Sequence, residues 1–159
     1  GGRLRIYAVD PGPQRSGWLK FDPDNMVVME ANGDRDNIEL LRDFRTSSCA
    51  GDILVCEEVL PFEAAGRTIA DSIRFSGRLE EACSRYKVRF RLVPFSTVRT
   101  HFTGNHRAKE SAVRAAVLER FGGDDRAAKG TKRKPGPCHG VSGHAWSALA
   151  LAVWLLEAR

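Results

Sequence analysis

The chain lacks a Cys-x-x-Cys pair; its four cysteines, Cys49, Cys56, Cys83 and Cys138, are scattered. That spacing excludes zinc-ribbon and thioredoxin-like sites. Cys56 and Cys83 fall in apolar patterns and read as reduced core thiols, so a reducing, cytoplasmic compartment is expected. No apolar run reaches membrane-spanning length and no signal-peptide pattern opens the chain, so no membrane partner is expected. Internal repeats are absent. A Walker-type GxxxxGK[ST] is also missing, and 159 residues are too few for the two domains of a sugar kinase or related ATPase. No nucleotide cofactor is therefore expected.

What is present is one domain's worth of chain, residues 1–159, with 42% apolar and 28% charged residues. Gly1-Gly2 reads as a tag remnant. The net charge is modest, +5, but unevenly spread. Residues 85–134 hold 14 Lys/Arg against 4 Asp/Glu, a net of +10, and the remainder carries −5. Such an asymmetry points to a polyanionic partner, most often nucleic acid, with a solvated basic surface as the plain alternative.

Alternation predicts a strand over 3–9, ending at Asp10 and broken by Pro11-Gly12-Pro13. Two more strands, Gly17 to Phe21 and Met26 to Glu30, flank the turn Asp22-Pro23-Asp24-Asn25, so the first three strands form an antiparallel set. A short helix is expected over 36–45. Ile53 to Cys56 is a continuous apolar run, the mark of a strand buried on both faces. A long helix over 64–86, a strand over 88–93 and a helix over 107–121 follow. Residues 122–142 combine glycines, a basic run and Pro135-Gly136-Pro137, and are expected to form a basic mobile loop. The last helix, 143–158, is apolar nearly all round, so it should pack between other elements. The order implies an α/β fold with a mixed central sheet flanked by helices.

Three ionisable residues stand at the ends of core elements: Asp10 after the first strand, Glu57 after the buried one, His144 at the start of the last helix. Acids at the ends of apolar runs are costly unless paired or bound to a cation. A hard divalent ion, Mg²⁺ or Mn²⁺, answers that need with a few carboxylates, water and phosphate oxygens. Two ions together suit phosphodiester hydrolysis, one activating water and the other stabilising the leaving oxygen. The plain alternatives are a turn cap for Asp10, a solvated strand end for Glu57 and a water-exposed helix start for His144.

The residues also carry a resemblance. Ile6-Tyr7-Ala8-Val9-Asp10-Pro11-Gly12 with Ser16-Gly17 resembles the first strand and turn of the RuvC-like Holliday junction resolvases. Cys56-Glu57-Glu58-Val59 is similar to that family's central-strand acid, with Glu57 in the metal position. Gly77 matches its helical glycine, and Thr103-Gly104 with Ala108-Lys109-Glu110 its Gly-x-x-x-x-Lys segment. His144-Ala145-Trp146-Ser147 resembles the final helix, which in the family carries two acids three residues apart. The likeness spans about 4–157, and Lys132-Arg133-Lys134-Pro135-Gly136-Pro137 resembles phage-type members. It implies an RNase H-like fold and a homodimeric endonuclease that nicks four-way DNA junctions with two metal ions. Asp10, Glu57 and His144 would then be catalytic, and Ser147 a fourth metal-facing position.

Ser147 departs from the pattern. It shares a helical face with His144 but brings a neutral hydroxyl, so the charge facing the metals falls by one unit. Glu58, Asp124 and Asp125 are the acids considered as substitutes, and nothing in the sequence places any of them. The departure motivates an alternative, a branched-DNA-binding protein of the same fold with weak or lost cleavage. Phosphate contacts are expected from Arg99, Arg107, Lys109, Lys129, Lys132, Arg133 and Lys134. His101, His106 and His139 read as surface or phosphate contacts. Phe62 is a candidate junction wedge; Ile69 and Ile73 on the long helix are candidates for a two-fold interface.

Overall fold

A computed structural model describes residues 3–61 and 66–158. Its five strands are β1 (Ile6–Asp10), β2 (Arg15–Asp22), β3 (Val27–Asp36), β4 (Ile53–Glu57) and β5 (Arg89–Val93). They form one sheet in the order β3-β2-β1-β4-β5. β1 pairs antiparallel with β2, and β2 with β3; β1–β4 and β4–β5 are parallel. The mixed sheet and its antiparallel start match the expectation. The hairpin turn is held by Asp22, whose carboxylate accepts from the Asp24 N–H at 3.0 Å and the Asn25 amide at 2.8 Å.

The helices are α1 (Asn37–Ser47), α2 (Arg67–Arg85), α3 (Phe95–Thr103), α4 (Glu110–Glu119), α5 (Asp125–Lys129) and α6 (Ala145–Glu157). Alternation along the strands divides the core in two. Tyr7, Val9, Leu54 and Cys56 face α1 and α2, meeting Leu40, Phe44, Phe75, Leu79 and Cys83. Ile6, Ala8, Ile53 and Val55 face the opposite layer, built on α6 with Val98 of α3 and Val113 and Val117 of α4. α6 is buried from Ala145 to Leu155 except at Ser147, which is half-buried, as its all-round apolar sequence requires. Glu157 at its end bonds His101 of α3 at 2.9 Å and Arg120, after α4, through two guanidinium nitrogens. His101 is thus a structural link between helices.

Two expectations need correction. The expected elements include none between Pro94 and residue 107, and α3 fills most of that interval. Its sequence, Phe-Ser-Thr-Val-Arg-Thr-His-Phe-Thr, is rich in β-branched and small polar residues with poor helix propensity. Tertiary burial of Val98 and a left-handed Gly104 stop (φ 75°) define it instead. The 122–142 stretch is likewise more than a loop. Asp124 caps α5 by accepting from the Ala127 N–H at 2.7 Å, and Ala128, Cys138 and Val141 are fully buried. The Val28 N–H donates to the Pro137 carbonyl at 2.7 Å, tying the segment to β3. The basic residues 132–134 sit in a small excursion closed by the Gly130–Pro135 bridge.

Because Leu149 lies fully buried in the α6 layer, Leu149→Ala should cost about 3 kcal/mol of unfolding free energy in urea titration. Ile38→Ala, at a side chain 67% exposed, should change it by less than about 0.5 kcal/mol.

Candidate active site

The site is built outward from the end of β1. Directly after Asp10, the Pro11–Pro13 turn is clamped by two buried polar side chains. The Ser16 hydroxyl accepts from the Gly12 N–H at 3.1 Å and donates to the Asn37 side-chain oxygen at 2.6 Å. The Asn37 amide closes the ring by donating to the Gly12 carbonyl at 3.0 Å. Each polar group in this dry corner therefore has a partner, and the exit of the chain from Asp10 is fixed.

Parallel pairing aligns Val9 with Cys56, so Asp10 and Glu57 end neighbouring strands at the same level, on backbones with the usual inter-strand spacing of about 4.8 Å. Strand alternation sends both towards α6. Asp10 continues the Ile6, Ala8 row and Glu57 the Ile53, Val55 row. Glu58 has the opposite parity and lines a groove with Ile73, Ser76 and Glu80 of α2. Both Asp10 and Glu57 act electrostatically on Cys56 beneath them; burial first, and these two charges next, push its thiol up to about 12.

His144 reaches this edge through two close backbone crossings. Gly17 pairs with Asp10 across the β1–β2 ladder. A Cβ at Gly17 would lie 2.5 Å from the His144 carbonyl oxygen and 2.6 Å from its Cβ. At Gly33 of β3 a Cβ would collide with the Ser142 carbonyl. Missing side chains on β2 and β3 thus let residues 142–144 lie flat on the sheet. His144 then stands at the N-terminus of α6, its Nδ1 3.3 Å from an Asp10 carboxylate oxygen. Its ring is 75% exposed, whereas the Asp10 side chain is 18% exposed. Burial raises the Asp10 pKa to about 6, against the lowering influence of His144 and with a further rise from Glu110.

Ser147, one turn after His144, lines a cleft of about 410 Å³ between α6 and α4. Glu110, in the first turn of α4, lines the same cleft. This acid was not singled out from sequence, where it appeared only as the neighbour of Lys109. Its signal is spatial, since α3 and α4 had to be placed before it could be seen facing His144. Lys109 sits at the N-terminal boundary of α4 and is exposed, as is Arg107. The Arg99 guanidinium lies 5.0 Å from the ring centre of Phe95, a cleft residue. Lys129 is half-buried at the end of α5, and Lys132, Arg133 and Lys134 are exposed. Phe62 lies outside the described residues.

The donors suit a hard cation. Two carboxylates sit on adjacent strand ends with an imidazole against one of them, Asp10, whose burial makes it hold its proton unusually well. Among the described residues no group of three His, Cys, Asp or Glu could hold a metal ion. A hard ion at the Asp10 and Glu57 strand ends would have to take most of its shell from water and phosphate, as Mg²⁺ and Mn²⁺ can.

No protein-family model and no curated protein matches the chain. Among solved structures, it is similar to Thermus thermophilus RuvC, with 14% identity, 98% of this chain and 97% of that chain covered, and a TM-score of 0.65. It is also similar to T. thermophilus RuvC solved in complex with a Holliday junction substrate, with 11% identity, 94% and 91% covered, and a TM-score of 0.60. The chain therefore has the RuvC type of RNase H-like fold.

Gly17→Ala should cost about 1–3 kcal/mol in urea denaturation, since the new methyl must displace the backbone of His144. Undiminished stability would show that this crossing is loose. For Asp10 the folded pKa lies above the unfolded one, so ionising it opposes folding. Its stabilising contribution is full below about pH 4 and is lost as pH rises through about 6. In metal-free buffer, Asp10→Asn should therefore raise Tm at pH 8, by an amount equivalent to roughly 2 kcal/mol, and bring little gain near pH 4. An equal gain at both pH values would refute the burial of this charge.

Proposed function

We propose that the protein is a divalent-metal-dependent endonuclease that nicks branched DNA, and that its substrate is the four-way junction. The observation that carries the reading is the contact of His144 with Asp10 at the sheet edge where Asp10 and Glu57 end neighbouring strands. The RuvC-type fold supports it, one of the similar structures being bound to a Holliday junction. Mg²⁺ or Mn²⁺, as a pair of ions, supplies Lewis-acid stabilisation of the phosphodiester and lowers the pKa of water.

Asp10 and Glu57 hold the charge that draws cations to the strand ends, and His144 adds a nitrogen donor from the other side. The Ser16–Asn37–Gly12 ring keeps Asp10 from turning away. Lys109 and Arg107 lie in the turn leading into α4, Arg99 on α3, and Lys129, Lys132, Arg133 and Lys134 in the 122–142 segment. They neutralise phosphates and release counterions, which fixes the DNA backbone without reading its sequence.

Paired nicks need two sites, so the active species is a homodimer. Supporting this, Ile73 and Leu92 are 38% and 40% exposed beside Gly77, a mid-helix glycine with nothing within 4 Å of its Cβ position. A glycine costs α2 about 1 kcal/mol, and close approach of a second copy accounts for it.

A second reading has one observation in its favour. Ser147 occupies the metal-facing helical position without a charge, which fits a junction-binding protein whose cleavage is weak or lost. A synthetic four-way junction separates the two. Paired nicks in Mg²⁺ or Mn²⁺, abolished by Asp10→Asn with binding retained, are expected. Binding without nicks in either metal would establish the second reading, and nicking that survives Asp10→Asn would refute the assigned site.

A further inference from the structure

We propose that the furrow between α1 and α2 is a docking site for an extended acidic segment of a partner protein, one whose carboxylates flank an apolar side chain. The proposal does not depend on the metal site and goes beyond nuclease action. The furrow, of about 670 Å³, takes Ile38, Leu41, Arg42 and Arg45 from α1 and Phe75 and Arg78 from α2. Among the described residues no acid lines it. These arginines fall in the part of the chain that carries a net charge of −5.

The imbalance comes from the way α1 divides its charges. Ile38, Arg42 and Arg45 share one helical face, so two like charges stand three residues apart, an arrangement that costs helix stability. The acids of α1, Glu39 and Asp43, both pair with Arg35 instead. On α2, Asp71 is held by Arg67 at 3.8 Å and by Arg74 at 3.2 Å. Arg42, Arg45 and Arg78 are exposed, and among the described residues none of them has an ion-pair partner. The furrow therefore offers three guanidinium groups to an outside anion.

Its apolar lining selects among anions. Ile38 is 67% exposed and shares the furrow with the buried Leu41 and Phe75. A phosphate backbone uses arginines but gains nothing from an exposed isoleucine, whereas an acidic segment with an apolar anchor uses both. Shape agrees, because packed helices stand only about 8–10 Å apart, and the furrow between them admits an extended chain but not a duplex. A second hollow of about 440 Å³ shares Ile38, Phe75 and Arg78 and carries the furrow on to Pro13 and Gln14. Asp36 and Asp71 lie at that end, so the carboxylates of the segment belong at the other, beside Arg42 and Arg45.

The probe is a displayed library of random dodecapeptides selected on the immobilised full chain, with enriched sequences synthesised and measured by fluorescence anisotropy. Enriched sequences should hold two or more carboxylates beside a leucine, isoleucine or phenylalanine. Their affinity should fall about tenfold in Arg42→Ala/Arg78→Ala and in Ile38→Ala, and should weaken in wild type as salt is added. All these substitutions are at exposed positions, so the variants fold. Their binding to a synthetic four-way junction and their sedimentation should match wild type. Absent or acid-free enrichment, or peptides that bind either variant as they bind wild type, would overturn the proposal. Junction binding that weakens in the arginine variant would overturn it in favour of DNA, and an altered oligomeric state in favour of a second copy of this chain.

Discussion

The site depends on one steric contact, the backbone of His144 lying directly on Gly17. Because Gly17 is the ladder partner of Asp10, whatever rests on Gly17 also rests beside that carboxylate. A side chain at 17 would lift the start of α6 and carry His144 and Ser147 away with it. Gly33 repeats the device one strand further out, where it admits Ser142. The approach path is thus laid across β3 and β2 before α6 begins. It is anchored upstream as well, where Val28 of β3 holds the Pro137 carbonyl. The flat passage of residues 137–144 over the antiparallel half of the sheet links the basic segment to the acidic strand ends.

That arrangement leaves Asp10 in electrostatic tension. It is mostly buried, has a like charge on the next strand and another in the α4 cleft, and meets a single exposed imidazole. A structural carboxylate would be expected to have a donor for each oxygen. Here the nearby donors are spent on the turn: Ser16 and Asn37 bond Gly12 and each other. The fold thus fixes the backbone beside Asp10 firmly while leaving its charge under-compensated, the pattern expected where a cation is to be recruited. Stability is sacrificed at this position when the carboxylate ionises.

Much of this was legible in the sequence, for physical reasons. The choice of Glu57 over Glu58 came from the resemblance, and the strand pairing supplies its physical counterpart, since Ile53, Val55 and Glu57 share a face. The burial of α6 follows from a surface apolar on every side. Ser16-Gly17 appeared only as a motif; its two roles, the hydroxyl closing the turn and the hydrogen admitting His144, emerge from tertiary contacts. The α3 helix was hidden because its β-branched residues favour other conformations and only Val98's burial overrules them. The anchoring of 122–142 was hidden because its three buried residues, Ala128, Cys138 and Val141, are spaced too irregularly to show a face.

Glu110 illustrates what one-dimensional charge counting conceals. It lies within the +10 stretch, where an acid beside Lys109 looks like a minor offset to a phosphate-binding surface. Helix geometry separates the two. Glu110 starts the first turn of α4 and enters the cleft; Lys109 stays at the boundary in solvent. Adjacent residues of opposite charge thus have different surroundings, the lysine solvent and the glutamate the cleft. The cleft beside Glu110 keeps its shape only if α4 and α6 keep their spacing. The Arg120–Glu157–His101 links at the far end of α6 and the Arg114–Trp146 stack beside the cleft supply that constraint. The geometry of this cleft is therefore a property of the helix pair.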